Sequence, residues 1–152
     1  MLAQAAAVCL AHQAHTSAVR LEVDGTFRAT FSLSWSEDIT EAKRRFWNDL
    51  EETTQQGAYA VAILLIRALT GYTIIERSRK GTGFDWWLGT DDNLFQGKAR
   101  LEVSGILCGT TRRINGRIKA RLGQTRQSDN LALTAYVIVV EFGTPRAKAV
   151  RR

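Results

Sequence analysis

Two stretches, 83-GFDWWLG-89 and 99-ARLEVSGI-106, decide how this chain of 152 residues is read. Each is a short β-prone segment that keeps one carboxylate, Asp85 in the first and Glu102 in the second. If residues 84–89 pair with 98–104 as a hairpin, strand alternation puts Asp85 and Trp87 on one face and Trp86 and Leu88 on the other. Arg100, Glu102 and Ser104 likewise share a face, opposite Leu101 and Val103. Asp85 and Glu102 then point the same way from adjacent strands. Two carboxylates held that close repel one another unless a cation lies between them. Oxygen ligands at such a separation suit Mg²⁺ or Mn²⁺, which polarise a phosphate and activate water. The plainer alternative is a surface ion pair for each acid, with Arg100, Lys98 or Arg77.

Outward from this pair, 72-YTIIER-77 is a third β-prone segment, and 58-AYAVAILLIRAL-69 is apolar nearly all round, with Arg67 its only charge. That pattern predicts a buried helix with Gly71 as its C-cap. Ser36 and the acids after it look like a helix start, with Ile39, Ala42, Phe46 and Leu50 as the apolar stripe. In 19-VRLEVDGTFRATFSLSW-35, alternation on both sides of Asp24-Gly25 predicts a hairpin within residues 17–36. Its inward set is Val19, Leu21, Val23, Phe27, Phe31, Leu33 and Trp35. Residues 1–16 read as helical or mobile. Downstream, Ile114, Ile118 and Leu122 give a helix from Thr111 a narrow apolar stripe, and 131-LALTAYVIVVEF-142 reads as a buried central strand. The basic end, 143–152, reads as a mobile tail.

From residue 40 onward the order is helix, three strands, helix, strand. A strand that returns after a crossover helix marks a mixed α/β sheet. Length and the absence of a linker-like stretch predict a single domain over 1–152.

Charge is uneven along the chain. Residues 1–76 hold six Lys/Arg against nine Asp/Glu, whereas 77–152 hold fifteen against six, so the net +6 comes from the second half. Such asymmetry points to an anionic partner, nucleic acid before any other and DNA before RNA. Arg77, Arg79 and Lys80 sit in the glycine-containing loop 77-RSRKGTG-83, a phosphate-contacting loop or an ordinary solvated turn. The loop lacks the Gly-Lys-Ser/Thr ending of a P-loop. Arg113, Arg117 and Arg121 form a row at one-turn spacing that can follow a phosphate backbone. Trp87, beside Asp85, either stacks on a base or packs in the core. No Ser/His/Asp or Cys/His arrangement points to nucleophilic catalysis, and His12 and His15 lack acidic neighbours. Two cysteines without metal-ligand spacing fit a reducing compartment. The apolar start has no basic residue ahead of it, and the longest apolar run is far short of the ~20 residues of a membrane span. The expectation is a cytoplasmic protein with no membrane association.

The run from the apolar helix through Gly83-Phe84-Asp85, Glu102-Val103, the basic helix and the final strand resembles the PD-(D/E)xK nuclease superfamily over roughly residues 40–142. The resemblance implies an αβββαβ, restriction-endonuclease-like core carrying the hairpin as an N-terminal addition. It implies a Mg²⁺- or Mn²⁺-dependent nucleic-acid phosphodiesterase in which Asp85 and Glu102 hold the metal with the Val103 carbonyl. Glu52 is the candidate acid from the first core helix. Ser104 stands where the family has its lysine, which orients the attacking water and stabilises developing charge. Lys98, Lys80 or Arg100 would then supply the missing cation. The alternative is a non-catalytic relative that binds nucleic acid, or a protein partner in a larger complex or homodimer.

Overall fold

The computed structural model describes residues 1–92 and 96–152. In chain order the elements are α1 (Leu2–His12), β1 (Val19–Gly25), β2 (Ala29–Leu33), α2 (Glu41–Phe46), α3 (Leu50–Thr70) and β3 (Thr73–Arg77). They continue with β4 (Trp86–Gly89), β5 (Ala99–Ile106), α4 (Thr111–Thr125), β6 (Ala135–Glu141) and β7 (Arg146–Arg151). A 3-10 segment, Arg126–Leu131, links α4 to the approach to β6.

The strands form one seven-stranded mixed sheet in the order β2-β1-β7-β6-β5-β4-β3. β6, the near-continuous apolar run, lies in the middle with every residue buried. It runs parallel to β5, which it reaches through α4, and antiparallel to β7. Alternation along β6 sends Tyr136, Ile138 and Val140 into a core shared with α1 and α3, and Val137 and Val139 onto the α4 stripe Ile114/Ile118. The protein is thus a helix–sheet–helix sandwich.

Local chemistry accounts for most boundaries. Asp49 caps α3 by accepting from Glu51 and Glu52 N–H at 3.1 Å each. Gly71 ends the helix in the left-handed region, φ 78°, as the sequence anticipates. The helix runs unbroken through Gly57, where α1 passes so close that a Cβ would stand 3.0 Å from the Ala6 backbone. The predicted helix start at Ser36 is corrected: Thr40 is the N-cap of α2, and residues 47–49 separate α2 from α3. The predicted stripe fails in its middle two positions, while Ile39 packs on the core beside α1 and Leu50 is partly buried. Ala42 and Phe46 are exposed, and Trp47 is buried against Ala5 and Val8 instead.

The end read as a mobile tail is β7, inserted between β6 and β1. Ala147 and Ala149 face the core, while Arg146 and Lys148 find partners in Glu141 and Asn115. Of residues 1–16, Leu2–His12 form the helix α1, docked on α3 with Cys9 and Leu10 in the core. The hairpin's predicted inward set is the set that packs on the core.

Where α3 crosses β5, Gly105 lets the helix approach: a Cβ there would stand 2.5 Å from the Thr54 carbonyl oxygen. Gly105→Ala is expected to destabilise the fold by roughly 1–3 kcal/mol through this overpacking. Urea unfolding of the two proteins measures it, and equal midpoints would contradict the close approach.

Candidate active site

β4 and β5 pair in the register Trp86↔Leu101 and Trp87↔Arg100, and one further step sets Asp85 opposite Glu102. The strands part at that step. The Asp85 N–H still donates to the Leu101 carbonyl at 2.8 Å, but its side chain takes over the next rung. Asp85 Oδ2 accepts from the Val103 N–H at 2.9 Å, and Oδ1 accepts from the Tyr59 hydroxyl at 3.1 Å. Beyond Asp85, Gln55 of α3 completes the open edge of β5. Its Nε2 donates to the Val103 carbonyl at 3.0 Å and its Oε1 accepts from the Gly105 N–H at 3.2 Å.

Glu102 is 1% exposed. Arg121 Nη1 meets its Oε1 at 3.0 Å, while Oε2 is buried with no hydrogen-bond donor. The Asp85 carboxylate lies against Glu102, and two carboxylates bond only if one carries a proton. Burial first, then the charge and hydrogen bond of Asp85, push the Glu102 carboxyl up to about 8, against the opposing pull of Arg121. The pair therefore calls for a shared proton or a cation.

Ser104, fully buried, accepts from Arg117 Nη1 at 2.7 Å. Burial, then the neighbouring Arg121 and Arg113, push the Arg117 guanidinium down from its usual range. It nonetheless stays a cation at neutral pH. One turn earlier, Arg113 Nη1 donates to the Cys108 carbonyl at 3.3 Å. The three arginines form one wall of a cleft of about 670 Å³. Gly105 and Ile106 are its floor, and Glu51, Glu52 and Gln55 its opposite wall.

The structure brings together Asp85, Glu102, Ser104, Arg117 and Arg121. Other candidates fall elsewhere. Lys98 is exposed, its N–H paired with the Leu88 carbonyl. It lies four residues before Glu102, about 13 Å along the strand. Lys80 and Arg79 are exposed in the 78–82 turn. Glu52 sits on the cleft rim, exposed and bonded by Gln56, and does not reach Asp85. Arg77 lies over the Tyr59 and Trp86 rings at 5.5 and 5.1 Å from their centroids, so it flanks Asp85 from the α3 side. Arg100 is no replacement cation and pairs with neither Asp85 nor Glu102; its ion pair is with Asp129, at 3.5 Å. It is 3% exposed and bonds the Leu133 and Thr125 carbonyls and the Ser128 hydroxyl. Trp87 packs edge-on against Phe84 at 4.9 Å and under the Gly97 backbone, in place of a base stack.

Gln55 and Tyr59 escaped the sequence reading. Their signal was an i,i+4 polar pair on an otherwise apolar helix face. Among the described residues, no group of three or more His, Cys, Asp or Glu is placed to hold a metal ion. No helix among them is long and apolar enough to cross a membrane. Comparison with protein-family models, curated proteins and solved structures finds no significant match.

Proposed function

We propose that this chain is a metal-dependent nucleic-acid phosphodiesterase of the PD-(D/E)xK type, in which Arg117 of the second core helix replaces the motif lysine. One observation carries the reading: Glu102 is buried against Asp85 with a donorless oxygen, and its other oxygen is held by Arg121, one of three arginines that line the adjoining cleft. The αβββαβ order from α3 to β6 and the placement of both acids where β4 and β5 part support it.

The residues fit Mg²⁺ or Mn²⁺. Mg²⁺ takes one or two carboxylates and keeps its remaining sites for water and substrate phosphate, so a site with only two acids is sufficient. Asp85 and Glu102 would hold it, with the Val103 carbonyl available if Gln55 releases it. When bound, the metal polarises the phosphoryl group and acidifies water. The chain supplies the rest. The Val103 N–H and the Tyr59 hydroxyl fix the Asp85 carboxylate. Arg117, a permanent cation, stabilises charge developing on the phosphoryl oxygens and does not serve as a general base. Arg113 and Arg121 hold the flanking backbone, and Arg77 lies on the opposite side of Asp85.

The second reading, a binding domain without catalysis, is favoured by the Arg121–Glu102 ion pair, which already neutralises one oxygen of the site. The test is incubation with plasmid, linear duplex, single-stranded DNA and RNA, with Mg²⁺ or Mn²⁺ and with chelator. Cutting that requires metal and disappears in Asp85→Ala is expected. Salt-sensitive binding of the same substrates with no cutting under either metal would replace the enzyme reading with the binding one.

A further inference from the structure

Of the two outer strands of the sheet, β3 is poorly suited to pairing with another chain. Its register slips between Ile74 and Glu76, and Glu76 and Arg77 place charges on the edge. Bulges and edge charges are the usual protection against a further strand. β2, at the other end, has neither. Its five residues are Ala-Thr-Phe-Ser-Leu, and among the described residues no strand lies beyond it.

The backbone of β2 faces outward at known positions. Trp35 exchanges both its N–H and its carbonyl with the Ser17 hydroxyl, on the β1 side. Glu22, paired with Thr30, sends its own N–H to Pro145, away from β2. In an antiparallel ladder these directions alternate by residue. The backbone groups of Thr30, Ser32 and Ser34 therefore point away from the sheet, and their side chains are exposed. On the alternate positions Phe27, Ala29, Phe31, Leu33 and Trp35 are each only half-buried on the margin of the core.

We infer that β2 is a self-complementary edge through which two copies of this chain pair antiparallel, about a two-fold axis at Phe31. This register sets Thr30 against the partner's Ser32 as the hydrogen-bonded pair. Phe31 meets the partner's Phe31, and Phe27 meets the partner's Trp35. Both apolar margins then lie on one side of the joined sheet and cover each other. Aromatic cross-strand pairs of this kind are favourable, and no like charges are opposed. Because the same strand is used by both copies and β3 is blocked, the contact closes as a dimer and does not propagate into a fibre.

Sedimentation of the full chain over a range of concentrations tests this. The mass of two chains is expected at high concentration. Ser32→Pro removes an outward donor at a position where an edge strand tolerates proline, and Thr30→Lys with Ser32→Lys opposes like charges across the axis. Both variants should sediment as one chain while keeping the wild-type circular dichroism. Cys108 is exposed, so a second arm uses Cys108→Ser with Phe31→Cys. Opposed Cα atoms in a non-hydrogen-bonded pair stand about 4.5 Å apart, within disulfide range, so a cross-linked dimer should form on oxidation. One-chain mass at every concentration overturns the inference. So does a dimer that survives both edge variants and leaves Phe31→Cys uncross-linked, because it would use another surface.

Discussion

Arg117→Ala is expected to slow metal-dependent cleavage by about 10²–10³-fold, the usual cost of removing one preorganised donor from a developing oxyanion. The guanidinium bonds Ser104, the position at which the resemblance calls for lysine. In the proposed enzyme, a cation reaching that spot from α4 would do the electrostatic work that a serine hydroxyl cannot. Arg117→Lys should recover part of the rate. The sharper variant is Ser104→Lys combined with Arg117→Ala, which moves the cation back onto β5 and should cut faster than Arg117→Ala alone. Single-turnover rates at saturating protein separate this from weakened binding. Wild-type rates in Arg117→Ala would leave the α4 arginine with a structural part only.

Stability in chelator should fall as pH rises from about 5 to 9, by a few kcal/mol at ~1.4 kcal/mol for each pH unit in the window. The cause is Glu102, whose carboxyl sits at about 8 in the fold against an ordinary value of 4.5. Between those values the folded chain holds a proton that the unfolded chain has lost. The associated stability is full below the lower value and gone once pH passes the upper one. Glu102→Gln carries its hydrogens at every pH, so it should flatten the slope and gain on the wild type in alkali. Mg²⁺ should raise the wild-type melting temperature at pH 9 and leave Glu102→Gln nearly unmoved. Melting curves at stepped pH measure both, and an identical slope in the two proteins would remove Glu102 as its source.

Alternation was enough to put Glu102 and Ser104 on one face with Asp85 opposite Glu102, because adjacent strands with a period of two leave little freedom once they pair. The buried helix, the central strand and the inward row of the hairpin were legible for the same reason. Alternation did not foresee that the Asp85 carboxylate turns into the plane of the sheet, between the Val103 N–H and Tyr59. What stayed hidden depended on distance in sequence. Nothing local marks Arg117 as bending inward to Ser104 and not outward to solvent. Gln55 acquires meaning only because β4 stops short and leaves Val103 and Gly105 without a strand partner on that side, their other neighbour being β6. Strand β7 was missed because its core face is merely two alanines between charged residues, whose partners lie in the 109–115 region and at Glu141. Trp47 displaced Phe46 because Asp49 capped a new helix there and ended the α2 phase.

The place of β7 also sets an order of events. Among the described residues, β1 and β2 are paired into the rest of the sheet only through it. A ribosome that has released everything up to residue 142 has therefore made every strand of the candidate site, yet it cannot have joined the hairpin to the sheet. Helix α1 can settle on α3 long before, holding the hairpin nearby on a short tether. Of the seven strands, the two that come earliest in the chain are thus the last to be incorporated, and until residues 146–151 arrive the outer flank of β6 stands open.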